Sequence, residues 1–259
     1  MRSLLLTATM LCTVAMNAQD LEQLMRQALE NGGKPAGITF EKDDTPYEPL
    51  GWTGSFTMEV HSFKDGAEEE HSPISIDYTM TDDKMAFHPV IDKESGDMRT
   101  IFDLKEKHMY TLIDNGSGQR TAMKMNMMRV NVDAMEEPPA SNEVKIERTA
   151  ETKTIDGHAC NKYIAVTEDG RSEAWVAEGV AFDLRKAFGR MVSGNKAQDW
   201  QRMPFEGGLV MEMTYEKREG NEKIVTYTRD LKVGEVDRSV FDISGYQVQD
   251  MTALPMFGH

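Results

Sequence analysis

The side chains best placed to do chemistry in this chain are sulfurs. The stretch "TAMKMNMM", Thr121 to Met128, puts four methionines into eight residues. Thioethers select Cu(I), so Met123, Met125 and Met127 form a candidate soft-metal set. The same spacing puts Thr121, Met123, Met125 and Met127 on one face of a β-strand and Lys124 and Asn126 on the other. On a strand, such methionines are either packed core or a flexible apolar surface for an oily ligand. Metal, packing and hydrophobic ligand all remain open at this point.

Other reactive groups are sparse. Zinc would want a cysteine pair, or histidines at helical i, i+4 spacing, and the chain has neither. His61 and His71 flank the charged turn "KDGAEEE" and read as exposed, His88 and His108 have no evident partner, and His259 is the last residue. Neither G-x-S-x-G, nor a P-loop, nor G-x-G-x-x-G occurs. "DNGSGQR" is glycine-rich but joins two strands, so it does not make a phosphate cradle. Carboxylates are plentiful, yet nothing pairs two of them in a cleft. No enzyme and no cofactor is expected.

The opening "MRSLLLTATMLCTVAMNAQD" has the order of a secretory signal: one basic residue, a short apolar run from Leu4 to Val14, then small and polar residues. The run is too short to span a bilayer. Cleavage is expected after Gln19, with Ala18 as the rival position. Loss of Arg2 takes the formal charge from -15 to -16, which argues against nucleic acid and anionic membrane surfaces as partners. Of the two cysteines, only Cys160 survives processing, so no internal disulfide is expected. In "HACNKYIAV" it reads as a buried, inert thiol, with His158 held in a turn.

Several elements would have to position the methionines. "DLEQLMRQALENGG" reads as a helix, capped by Asp20, with Leu21, Leu24, Met25 and Leu29 on one side and Asn31-Gly32-Gly33 as its stop. A polar connection follows, and the period then drops to 2. Phe56, Met58 and Val60 share a face, as do Ile74, Ile76, Tyr78 and Met80; Met85 and Phe87 continue the pattern. Hairpin turns are expected at Lys105–Lys107, Asn115-Gly116, Asp156-Gly157, Asp169-Gly170 and Gly220-Asn221, with Glu168 opposite Arg171. Leu209, Met211, Met213 and Tyr215 form another apolar face. A helical insertion is expected over 181–203, carrying Phe182, Leu184, Ala187, Phe188, Met191 and Trp200. About ten short strands, all antiparallel, make a strongly curled sheet.

The segment "ETKTIDGHACNKYIAVTEDGRSEAWVA" resembles the central meander of an uncharacterised domain-of-unknown-function family of secreted bacterial proteins, related to the LolA-like superfamily. "IFDLKEKHMYTLI" and "VDRSVFDISGYQVQDM" carry the resemblance further, over about residues 50 to 252. One departure is Ile243-Ser244-Gly245, where a Pro is more usual before Gly-Tyr. The resemblance implies an α+β, mainly β, open antiparallel half-barrel spanning 49–252, with the 20–48 helix and connection and the 181–203 insertion over its concave face, and a tail at 253–259. It also implies a periplasmic or secreted, non-enzymatic protein of the Gram-negative envelope. Its partner would be a hydrophobic small molecule or an acylated protein. The residues expected to hold such a ligand are Met58, Met80, Met123, Met125, Met127, Met211, Met213, Phe182 and Phe188. Copper held by Met123, Met125 and Met127, or a purely structural envelope module, are the alternatives.

Overall fold

The computed structural model describes residues 39–90, 97–116, 118–131, 145–167, 170–182, 187, 189–193 and 207–253. The expected leader at 1–19, the expected helix at 20–33, the expected loop around 136–143, Glu168 of the expected Glu168–Arg171 pair, Leu184, Phe188, Trp200, His259 and most of the tail lie outside these residues.

The strands follow from period-2 patterning and turn chemistry. In chain order they begin with β1 (Thr39–Lys42), then β2 (Gly54–Lys64) and its short partner β3 (Ala67–Glu68). Hairpins then give β4 (Ile74–Met80), β5 (Lys84–Val90), β6 (Asp97–Asp103), β7 (His108–Asp114) and β8 (Arg120–Asn126). After a break at Met127 comes β9 (Met128–Asn131). The meander is β10 (Lys145–Ile155), β11 (His158–Val166) and β12 (Gly170–Ala177). A 3-10 turn at Gly189–Met191, β13 (Val192–Ser193), β14 (Leu209–Lys217), β15 (Glu222–Val233), a second 3-10 turn at Arg238–Phe241 and β16 (Gln247–Asp250) complete the series. Asp156 and Gly157 both have positive φ, 48° and 80°, as a two-residue I′ hairpin requires.

Thirteen strands form one sheet in the order β10-β11-β12-β14-β15-β2-β4-β5-β6-β7-β8-β16, with β3 beside β2. The two end strands do not pair with each other, so the sheet is open. β1, β9 and β13 form a separate three-stranded sheet. Three expectations need correction. The main sheet has more strands than the ten expected. Pairing is not wholly antiparallel, because β16 runs parallel to β8 and β13 parallel to β9. The polar connection before residue 50 also contains a strand, since β1 finds its partner in β9, too far along the chain for local pattern to show. Within 181–203, where a helical insertion is expected, the described residues hold buried Phe182 and Ala187, the 3-10 turn and β13, so that expectation is not met by them.

Alternation divides the residues of β5 to β8 between two cores. Met85, Phe87, Phe102 and Met109 join the large cluster on one face. Ala86, Ile101, Leu112 and Ala122 form the small cluster on the other, covered by Val240, Phe241, Ile243 and Tyr246. The large cluster also takes in Trp52, Phe56, Tyr78, Met80, Phe182, Leu209 and Met211. Burying each large apolar side chain stabilises the fold by roughly 1.5–3 kcal/mol. Register shifts in the β10–β11, β12–β14 and β15–β2 pairs mark bulges, which bend strands and tighten the twist. Glycine is required at Gly54, where a Cβ would lie 2.5 Å from both the Lys232 carbonyl and the Trp52 ring.

Candidate apolar binding face

Register shows where the methionines stand. Met80 pairs with Met85, Met85 with Phe102, Phe102 with Met109 and Met109 with Met125. These residues form a continuous cross-strand row from β4 to β8. Directly opposed side chains on such a row have Cβ atoms about 4.5–5.5 Å apart and pack as pairs. Sequence spacing placed Met80, Met85 and Met125 on the apolar faces of separate strands. The rest needed the strand register.

Beside the row runs a file of aromatic rings. Trp52 and Phe182 have centroids 4.7 Å apart, Phe182 and Phe56 5.7 Å, and Phe56 and Tyr78 5.0 Å. Tyr78 and Phe87 follow at 5.1 Å, then Phe87 and Phe102 at 5.2 Å. These separations suit offset or edge-on contact. The Trp52 indole N–H is buried and has no hydrogen-bond partner among the described residues. An unpaired buried donor is costly, so this end of the file offers a polar group to an acceptor.

The residues expected to bind ligand divide by depth. Met80 and Met211 are wholly buried, and Met125, Met127 and Phe182 are 4%, 2% and 3% exposed. Met58, Met123 and Met213 are half-buried. Met127 does not extend the β8 face. It lies in the break before β9, where its N–H donates to Lys107 O and its carbonyl accepts from Asp43 N. Phe188 is outside the described residues. Met109, half-buried and paired with Met125, is a member that sequence reasoning missed.

Polar groups gather elsewhere. Asp43 is buried, and its carboxylate accepts from Lys107 Nζ at 2.8 Å, from Thr45 N at 3.0 Å and from Thr45 Oγ1 at 2.5 Å. Burial pushes its pKa up, but these hydrogen bonds outweigh burial and hold the carboxyl below its ordinary range. His61, expected to be exposed, has a side chain only 23% accessible and contacts Glu68 at 2.7 Å. Ser72 donates to that same carboxylate oxygen. The serine therefore meets the acid rather than the imidazole, which is not a nucleophile–base arrangement. Glu68 is held below its ordinary pKa by Ser72 first and His61 second. Cys160 Sγ contacts the His158 backbone carbonyl, not its ring, and burial pushes its thiol pKa up. Among the described residues, no three His, Cys, Asp or Glu side chains converge as metal ligands.

An open, mainly antiparallel sheet with one face apolar defines the class of protein. The chain belongs to the family described as Domain of unknown function (DUF4412), whose model matches residues 52–243. That is the kind of family its motifs resemble. None of the curated proteins matches. Among solved structures, the chain is similar to PNGF-II at 14% identity and TM-score 0.35, covering 78% of this chain and 31% of that one. It thus spans about a third of PNGF-II. An uncharacterized conserved protein from Thermus thermophilus is similar at 6% identity and TM-score 0.39, covering 76% and 91% of the two chains. The LolA superfamily protein NE2245 from Nitrosomonas europaea follows at 8% identity and TM-score 0.30, covering 73% and 90%. Scores this low carry no functional argument. Among the described residues, no helix is long and apolar enough to cross a membrane.

Proposed function

We propose that this is a non-enzymatic protein of the cell envelope that holds an acyl chain or similar hydrophobic ligand against the apolar face of its open sheet. The supporting observation is the paired methionine row and aromatic file, whose flanking members Met58, Met109, Met123 and Met213 stay half-buried. Flexible thioethers adapt to ligands of varying shape. Met80, Met85 and Met211 are the packed floor on which that surface rests. The Trp52 N–H, without a partner among the described residues, suits the carbonyl oxygen of an ester or amide, so the ligand's polar end belongs beside Trp52 and Phe182.

The test uses a chain with Trp175→Phe and Trp200→Phe, leaving Trp52 as the sole indole. Doxyl-labelled stearate should quench its fluorescence saturably at micromolar concentrations, and Met58→Glu with Met123→Glu should abolish that quenching while the fold survives. Absence of saturable quenching, or quenching indifferent to both substitutions, would overturn the proposal.

A further inference from the structure

Met58, Met109, Met123 and Met213 on the apolar face are half-buried, whereas Met80, Met85, Met125 and Met211 beneath them are buried. Among the described residues the one thiol, Cys160, is itself buried. Thioethers are therefore the sulfurs that a small solute meets, and accessible thioethers are oxidised to polar sulfoxides. Whether the fold tolerates a new polar oxygen depends on the donors around it. Strand register separates the half-buried residues on this point. Met109 stands between Met125 and Phe102, neither of which has a side-chain N–H or O–H. Met58 stands between Ile76 and Thr228, and the Thr228 hydroxyl is already given to the Val210 carbonyl at 2.7 Å. Met213 has Ala174 on one side and Thr226 on the other. Met123 has a donor on both sides, the Thr111 hydroxyl on β7 and the Gln249 amide on β16.

Residues directly opposed on neighbouring strands are about 5 Å apart, so both donors lie within reach of an oxygen on the Met123 sulfur. Gln249 is exposed, which lets its amide turn toward that oxygen. We propose that Met123 is a reversible oxidation site: Thr111 and Gln249 hold its sulfoxide, the β8 end of the apolar face becomes polar, and the ligand is released. The effect on ligand rests on the function proposed above; the oxidation site does not. The oxidant is a peroxide. A lone pair on sulfur attacks one oxygen of hydrogen peroxide, and the S–O bond forms as the O–O bond breaks. The departing hydroxide takes the proton left on the transferred oxygen and leaves as water. Sulfur is oxidised by two electrons and the peroxide is reduced. Methionine sulfoxide reductases reverse the change.

The test treats the full chain with hydrogen peroxide over a time course and maps the sulfoxides by peptide mass spectrometry. Met123 should gain oxygen at least about ten times faster than Met125, which reacts only when the fold opens. The oxidised chain should still melt cooperatively. Gln249→Ala, at an exposed position, should lower the melting temperature of the oxidised chain more than that of the untreated one. Met123→Gln places a polar end at the same depth without any oxidant. In the chain whose sole indole is Trp52, it should weaken doxyl-stearate quenching by about tenfold. Equal rates at Met123 and Met125, loss of cooperative melting as Met123 is oxidised, a Gln249→Ala effect that ignores oxidation, or undiminished quenching in Met123→Gln would each overturn the proposal. An untreated chain that never quenches defeats the ligand face alone, and the oxidation rates and melting then decide the site.

Discussion

Lys107 Nζ sits 2.8 Å from Asp43 Oδ2, a contact between residues 64 positions apart. The Asp43 side chain is wholly buried and that of Lys107 is 18% exposed. Lys107 itself has a positive φ of 57° in the β6–β7 turn, so a residue in an uncommon backbone conformation is what reaches the segment after β1. This pair, with the Met127 backbone bonds, latches the small sheet to the large one.

Removing one partner of such a pair leaves an uncompensated charge. Asp43→Ala should cost about 3 kcal/mol, measured by urea unfolding at neutral pH. Because the folded pKa of Asp43 lies below its ordinary value, its contribution is complete above the unfolded value of about 3.9 and is lost as pH falls through the folded pKa. The stability gap between the native chain and Asp43→Asn should therefore persist at pH 7 and shrink in strong acid. A gap unchanged down to full protonation would contradict the assignment.

Phe182 packs on Trp52 and Phe56 where the proposed ligand's polar end belongs. Phe182→Ala should lose about 3 kcal/mol and, at temperatures where it stays folded, take up labelled fatty acid more tightly. Lost stability with no gain in uptake would mean that Phe182 is packing alone.

Cys160, 1% exposed with its pKa raised by burial, should react with iodoacetamide only as fast as the protein unfolds. Mass spectrometry after timed labelling in native buffer and in urea distinguishes this from a reactive thiol.

Converting Met123, Met125 and Met127 together to Leu should cost under about 1.5 kcal/mol per site and leave Cu(I) affinity, read by competition with bicinchoninate, unchanged. Loss of a stoichiometric Cu(I) site would favour the metal reading.

Legibility in the sequence followed burial. The alternation of Phe56, Met58, Tyr78 and Met80 and the Asp-Gly turn at 156–157 announced strands and hairpins, because half-buried strands and I′ turns impose residue types. β10, "KIERTAETKTI", is exposed along nearly its whole length, so no core face imposed a pattern and only its final "TKTI" was legible. The parallel β16 has four exposed residues and no local partner. Candidate site residues were legible as types, Met and Phe, but their grouping depended on register: Met85, Phe102 and Met109 lie between Met80 and Met125 only once five strands are aligned.

The central seam of the large sheet joins β2 to β15, setting residues 54–64 against 222–233. On one side of that seam hang β4 to β8, and on the other β10, β11, β12 and β14. Apart from β16 on β8 and the longer β12–β14 connection, each side is assembled from neighbouring hairpins, so most of its pairing is local and forms early, whereas the seam must wait for nearly the whole chain. A nascent chain halted before Glu222 would present the long edge of β2 unpaired, an open template for association. Synthesis therefore sets the timing of the last folding step, and fragments ending before β15 should aggregate where the whole chain does not.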